Sequence, residues 1–195
     1  IPAEKITVSG IPIDPVFSQA KDKRQMRIRH GLEAERPTIL LSAGGWGHGP
    51  LEEILANLTK LRHSAQVVAI CGRNEELKQR LDQIAGAVPV ESPVVLRPIG
   101  FTTEMDEYMS AADILLGATG GLTVSEALAK GLAFVVMNPL RGQEERNSDH
   151  LLEQGAAIRC NNLPTLAYKI DTLLDDPARL AAMQASARRI SHPQA

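Results

Sequence analysis

Residues 117–155 read GATGGLTVSEALAKGLAFVVMNPLRGQEERNSDHLLEQG. The pair Gly120-Gly121 opens a helical stretch, a short apolar strand follows at 134–137, and a loop holding Gln143 and Glu144 opens the next helix. Strands and helices in alternation predict an α/β sheet. Two such loops offer backbone N–H groups to an anion and side-chain acceptors to hydroxyls. A nucleotide sugar presents both.

The rest of the chain extends the pattern. Apolar runs stand at residues 38–43 (TILLSA), 66–71 (QVVAIC), 94–97 (VVLR), 113–117 (DILLG), 134–137 (FVVM) and 156–159 (AAIR). They are short and continuous rather than alternating, as in a parallel sheet covered on both faces. Residues 50–61 carry Leu51, Ile54, Leu55, Leu58 and Leu61 at helical spacing. Asn74 is placed to cap a helix holding Leu77, Leu81 and Ile84, and Asp176-Pro177 starts a last helix running to near Ala195. The fold expected is α/β, a Rossmann-like doubly wound parallel sheet of about six strands, with ligands beyond the C-terminal strand ends.

At 195 residues the chain is long enough for one full-sized domain. A net charge of -2 and only 3% aromatic residues argue against nucleic acid as a partner. Cys71 and Cys160 each end an apolar run, lack metal-ligand spacing and read as small buried residues in a reducing compartment. No apolar run approaches the roughly 18 residues that cross a bilayer. Residues 1–17, with three prolines and no starting methionine, read as a linker or edge strand in the middle of a longer protein. The basic run Lys21, Lys23, Arg24, Arg27 and Arg29 reads as a solvated helix face, with a membrane-surface contact as the alternative.

Five loops carry candidate chemistry. Gly44-Gly45-Trp46-Gly47-His48-Gly49 lets the backbone approach a ligand closely, so Gly45, Gly47 and His48 are candidate diphosphate contacts. It is not a dinucleotide fingerprint, and no acidic residue ends the second strand, which excludes an NAD site. Arg73 has planar donors suited to phosphate, or is a plain surface arginine. Gly100 offers backbone to a base edge beside Phe101, itself either a ligand neighbour or core filler, and Thr103 is placed to cap the helix that follows. Thr123 and Glu126 have capping-box spacing, while the Glu126 carboxylate is equally suited to two ribose hydroxyls. Gln143 and Glu144 suit sugar hydroxyls, or simply occupy a helix start where acidic residues are favoured.

GIPIDPVF, GGWGHGPLEE, ICGRNEEL, IGFTTEMDEYMSAADILLG, GGLTVSEALAKG and NPLRGQEERNSDHLLEQGAA together resemble, in order, the C-terminal half of monogalactosyldiacylglycerol synthases and processive diacylglycerol glucosyltransferases. The glycosyltransferase that adds N-acetylglucosamine to lipid I is a more distant relative. The resemblance covers nearly the whole chain. It implies the donor-binding half of a GT-B glycosyltransferase over residues 18–195, with a separate N-terminal acceptor domain preceding Ile1. By this likeness Gly100 and Phe101 lie by the uracil and Glu126 holds the ribose. Gly120, Gly121, Leu122 and Thr123 flank the diphosphate with the 44–49 loop, and Gln143 and Glu144 hold the hexose. Ala118-Thr119 replaces the family's Lys-Pro, Trp46 stands where relatives often carry an acid, and Arg141 replaces a proline. Arg141 is expected to return positive charge to the diphosphate.

The resemblance implies inverting transfer of galactose or glucose from a UDP-hexose to a lipid acceptor such as diacylglycerol. The general base and the lipid site belong to the missing domain, so this chain alone is expected to be inactive. No Asp-x-Asp occurs, so no cofactor and no obligatory metal are expected. The whole protein is expected to be cytoplasmic and peripheral at the inner face of the membrane. Competing readings are a non-catalytic subunit of a split glycosyltransferase, a UDP-sugar epimerase or hydrolase of related fold, and a degenerate domain.

Overall fold

The computed structural model describes residues 1–42 and 50–195. Two short 3-10 helices, Ala3–Lys5 and Pro15–Ser18, precede α1 (Lys23–Arg29), and residues 1–17 contain no strand. Then follow β1 (Thr38–Ser42), α2 (Leu51–Leu58), β2 (Ala65–Ile70), α3 (Glu75–Gly86), β3 (Val94–Ile99) and α4 (Met105–Ala111). The second half holds β4 (Ile114–Gly117), α5 (Gly121–Ala129), β5 (Ala133–Val136), α6 (Gln143–Glu153) and β6 (Ala157–Arg159). A 3-10 turn, Leu163–Thr165, leads to α7 (Leu166–Leu174) and α8 (Pro177–Ile190).

All neighbouring strands pair in parallel, in the order β3-β2-β1-β4-β5-β6. The chain works outward from β1 to β3 and then returns to lay β4 beside β1. That reversal opens a crevice beyond the C-terminal ends of β1 and β4, the usual ligand position in such sheets. Each apolar run read in the sequence is one of these strands, displaced by one or two residues at its ends. The runs are continuous because alternate residues face two separate cores. Ile39, Leu41, Val67 and Ile114 pack with Leu55 of α2, Leu81 of α3 and Ile170 of α7. Leu40, Val68, Leu115 and Phe134 pack with Met109 of α4, Ala127 of α5 and Leu151 of α6.

Helix starts follow local chemistry. Asn74 accepts from the Leu77 N–H at 2.9 Å, and Asp176 accepts from the Arg179 N–H at 2.9 Å, both as expected of N-caps. Thr103 does not cap α4; Thr102 Oγ1 accepts from the Glu104 N–H at 3.0 Å instead, because α4 starts one residue later than that reading required. Cys71 and Cys160 are buried and free, and burial raises the Cys71 thiol. Among the described residues no helix is long and apolar enough to cross a membrane.

The basic run is a solvated face only in part: its cations pair with carboxylates, and one of them is buried. Arg27 is buried, and its guanidinium donates to Asp113 at 2.5 Å and to the carbonyls of Ala111 and Ala34, both at 2.9 Å. Lys23 pairs with Asp113 at 2.6 Å, Lys21 with Asp106 at 2.6 Å, and Arg29 with Glu104 and Glu107. Arg24 with its partner Glu35, and Arg29 with Glu104, keep much of their side chains in water. The cations are consumed by carboxylates on α4 and at the foot of β4, which local spacing does not reveal.

A second polar anchor lies on the opposite layer. Asp171 of α7, 2% exposed, accepts from the Arg62 N–H at 3.1 Å, the His63 N–H at 3.2 Å and Arg62 Nε at 3.3 Å. Asp171→Ala strands two backbone donors under α7, and urea denaturation is expected to show a loss of about 2–3 kcal/mol.

Candidate functional site

Because the strands are parallel, every loop singled out in the sequence leaves the same edge of the sheet, except that residues 43–49 lie outside the described residues. Gly45, Gly47 and His48 fall in that segment.

The β4–α5 turn is the centre of the site. Gly120 is the N-cap of α5, with extended backbone (φ -59°, ψ 142°), and no side chain among the described residues caps the helix. The first intrahelical bond runs from the Val124 N–H to the Gly120 carbonyl at 2.9 Å. Gly121, Leu122 and Thr123 therefore present N–H groups with no intrahelical acceptor, at the positive end of the helix dipole. A Cβ on Gly121 would stand 3.0 Å from Ile11 Cδ1 and 3.4 Å from Gln143 Nε2, so a side chain there would crowd both neighbours. Leu122 points outward, 59% exposed.

The capping-box reading of Thr123 and Glu126 fails. It needs Thr123 as N-cap, but the glycine pair starts the helix three residues earlier and puts both residues inside it. Glu126 is left half-buried, with no hydrogen-bond or ion-pair partner among the described residues. Burial, with a smaller contribution from the nearby Asp14 charge, raises its carboxyl to about 7. Asp14 comes from the segment before α1, where it accepts from the Val16 N–H at 2.9 Å and caps the 3-10 turn Pro15–Ser18. Lys130, at the end of α5, fastens that turn by donating to the Val16 and Gln19 carbonyls at 3.4 and 2.9 Å. Nothing in the local sequence marked Asp14 as a neighbour of Glu126.

The β5–α6 loop closes against this turn. Gly142 adopts φ +99°, a conformation open to glycine, and α6 begins at the next residue. The capping alternative holds in part here: Glu144 Oε2 accepts from the Leu140 N–H at 2.8 Å, and Glu145 Oε2 accepts from the Gly142 N–H at 3.4 Å. Gln143 makes no side-chain hydrogen bond among the described residues and sits beside Gly121. A Cβ on Gly120 would lie 4.0 Å from Glu144 Oε1. Arg141 is exposed in the same loop.

Asn147 was not singled out by the sequence, and Thr119 was noted only as a departure from the family's Lys-Pro. Thr119 is fully buried, and its hydroxyl donates to the Glu144 carbonyl at 2.6 Å. Asn147 Nδ2, one turn along α6, donates to the Thr119 carbonyl at 2.8 Å. The only signal available was the departure at residue 119 itself.

At the other side of the crevice, the Arg73 guanidinium carbon lies 4.8 Å from the centroid of the Phe101 ring, a cation–π contact. Phe101 is 57% exposed, so it is not core filler. A Cβ on Gly100 would meet nothing within 4 Å, leaving open space at that strand end.

Among the described residues His30, Glu104 and Glu107 bring ligand atoms within 4.8 Å of one another. These carboxylates already serve cations. Glu107 takes Lys21, Arg29 and His30, and Glu104 takes Arg29. Burial alone would raise the Glu107 carboxyl, yet the bonds from Lys21 and His30 outweigh it and hold that carboxyl low. A divalent ion would have to displace them.

Comparison with known proteins agrees with this fold. The family model of glycosyl transferases group 1 matches residues 22–190. A processive diacylglycerol beta-glucosyltransferase of Staphylococcus saprophyticus is 31% identical over 187 residues, covering 95% of this chain and 46% of that protein. The crystal structure of Acinetobacter baumannii MurG superposes with a TM-score of 0.66 at 22% identity, over 90% of this chain and 50% of that one. Anabaena HepE, solved in complex with UDP-glucose, superposes with a TM-score of 0.68 at 18% identity, over 93% and 50%. The chain thus spans about half the length of the relatives it matches. An uncapped helix at the switch point of a 3-2-1-4-5-6 sheet and a family match over almost all of it lead to one conclusion: this chain belongs to the glycosyl transferases group 1 family.

Proposed function

We propose that this chain is the donor-binding half of an inverting, UDP-hexose-dependent glycosyltransferase that works on a lipid acceptor such as diacylglycerol. The observation that carries this reading is the N-terminus of α5, which no side chain among the described residues caps, followed one turn later by the Glu126 carboxylate, which has no partner among the described residues. The N–H groups of Gly121, Leu122 and Thr123 suit a diphosphate, and Glu126 suits the two hydroxyls of a ribose. Gln143 and Glu144, beside the same turn, suit the hexose. Gly100, Phe101 and Arg73 border the place left for the base. Glucose is favoured over galactose because relatives about 30% identical to this chain are named as glucosyltransferases.

In this mechanism an acceptor hydroxyl attacks the anomeric carbon from the face opposite UDP. The bond from that carbon to the diphosphate breaks, and the hydroxyl proton passes to a base supplied from outside residues 1–195. Negative charge grows on the departing diphosphate. The α5 dipole and the N–H groups of its first three residues, which have no acceptor among the described residues, suit that charge with little reorganisation. With no Asp-x-Asp in the sequence, the reading includes no obligatory divalent ion. It also includes residues 1–17 as an interdomain linker, and peripheral attachment of the whole protein to a membrane.

Calorimetric titration of the chain with UDP, ADP and GDP tests the reading. Binding of UDP in the micromolar to low-millimolar range, at least tenfold tighter than ADP or GDP, is the expected result. Equal affinity for all three, or none for any, would refute it.

A further inference from the structure

We propose that Thr119 is a positioning residue for hexose recognition, tying the sugar-facing end of α6 to the glycine turn that receives the diphosphate. The proposal rests on the donor-site reading given above and assigns a role to a residue that touches no substrate.

The argument starts from what holds the β5–α6 loop in place. That loop leaves β5 through exposed residues, Asn138 and Leu140 among them, and enters α6 through Gly142. Local bonds from Leu140 and Gly142 to Glu144 and Glu145 shape the loop but do not fix it relative to α5. Among the described residues two long-range bonds do. The Thr119 hydroxyl donates to the Glu144 carbonyl at 2.6 Å, and the Thr119 carbonyl accepts from Asn147 Nδ2 at 2.8 Å. Together they hold residues 144 and 147, on consecutive turns of one face of α6, against the residue next to Gly120. Gln143 is thereby brought to Gly121, and the Glu144 carboxylate to Gly120.

Thr119 is fully buried, whereas its neighbour Ala118 is exposed. Position 119 therefore cannot reach a ligand, and its effect must pass through α6. A misplacement of about 1 Å in a positioning group is enough to forfeit a large part of the interaction it supports. The nucleotide contacts do not depend on this link. Gly121 to Thr123 and Glu126 belong to α5, whose place is set by Val124, Ala127 and Leu128 in the core.

The test compares UDP with UDP-glucose on the wild-type chain and on Thr119→Val, Thr119→Ser and Asn147→Ala. Valine keeps the shape of threonine and removes only the donor. Thr119→Val is expected to weaken UDP-glucose by about five- to tenfold while UDP changes less than twofold. Thr119→Ser, which keeps the hydroxyl, returns the wild-type ratio, and Asn147→Ala reproduces the valine split without altering residue 119. Thermal melts confirm that each variant is folded. An unchanged ratio in both Thr119→Val and Asn147→Ala overturns the proposal while leaving the donor site standing. Equal weakening of both ligands also overturns it, since that marks a loss of the diphosphate turn. A wild-type chain without affinity for UDP removes the donor-site reading and this proposal together.

Discussion

Asp113→Ala is expected to cost about 3–5 kcal/mol of folding stability, the largest loss from any single side chain outside the apolar core. Asp113 stands immediately before β4, at the sheet edge opposite the loops of the site. One carboxylate oxygen accepts from the Thr38 N–H at 2.8 Å and from Arg27 at 2.5 Å, and the other accepts from Lys23 at 2.6 Å. The backbone of Asp113 adds to the joint: its N–H donates to the Thr38 carbonyl at 2.8 Å, and its carbonyl accepts from Gln184 of α8 at 3.0 Å. Truncation leaves the Arg27 guanidinium buried without a counter-charge, and that orphaned charge, rather than the lost bonds, dominates the cost. Asp113→Asn keeps an acceptor and should cost less. The double variant Arg27→Met/Asp113→Ala should recover part of the loss, because a buried pair replaced by apolar groups is often nearly neutral. Equilibrium urea denaturation of the four proteins checks this. A loss under 1 kcal/mol in Asp113→Ala would show that water reaches Arg27 and solvates it. In either case the folded fraction should bind UDP as wild type does, since the anchor and the site lie at opposite ends of the strands.

The same residues show how far the sequence could be read. The four central strands were legible because each, buried on two faces, is a continuous apolar run of four to six residues, and Asn74 and Asp176 were legible because a cap acts within three residues. Arg27 was misread as part of a solvated basic face because its partner lies 86 residues away, beyond any local pattern. The site divides along the same line. The glycine pair, Glu126, Gln143 and Glu144 were visible as residue types at loop–helix junctions. The role of Glu126 was not settled by spacing. Thr123-x-x-Glu126 fits a capping box, and only the position of the helix start, set by Gly120, excludes it. Thr119 was invisible as an anchor because its bond crosses to a different loop, 25 residues on. Asp14 was invisible for the same reason: it reaches Glu126 only after the segment before α1 folds back along α5.

Glu126→Ala is expected to weaken UDP-glucose by about 2–4 kcal/mol, roughly 30- to 1,000-fold, if the carboxylate accepts from both ribose hydroxyls. The ionisation of Glu126 makes a sharper test than its removal. Burial, helped by Asp14, lifts this carboxyl from the ordinary value of 4.5 to about 7, so near neutrality about half the chains carry it protonated. A protonated carboxyl offers one fewer acceptor to a pair of hydroxyls, so binding favours the charged form and releases a proton. Affinity for UDP-glucose should therefore rise about tenfold between pH 6 and pH 8 and level off above that. UDP-glucose is the right probe because UDP carries a terminal phosphate that itself titrates near pH 6. Glu126→Gln should flatten the profile, and Asp14→Asn should move its midpoint to lower pH by removing a repelling charge. Stability without ligand runs the other way. A carboxyl whose folded value is raised contributes stability that is complete below pH 4.5 and is lost as pH passes through 7. Nucleotide binding should thus protect the chain more at pH 8 than at pH 6, measured as the shift in melting temperature at a fixed ligand concentration. A pH-independent affinity in the wild type would show that Glu126 does not hold the ribose as a carboxylate. It would leave the α5 N-terminus as the element on which the proposed donor site stands.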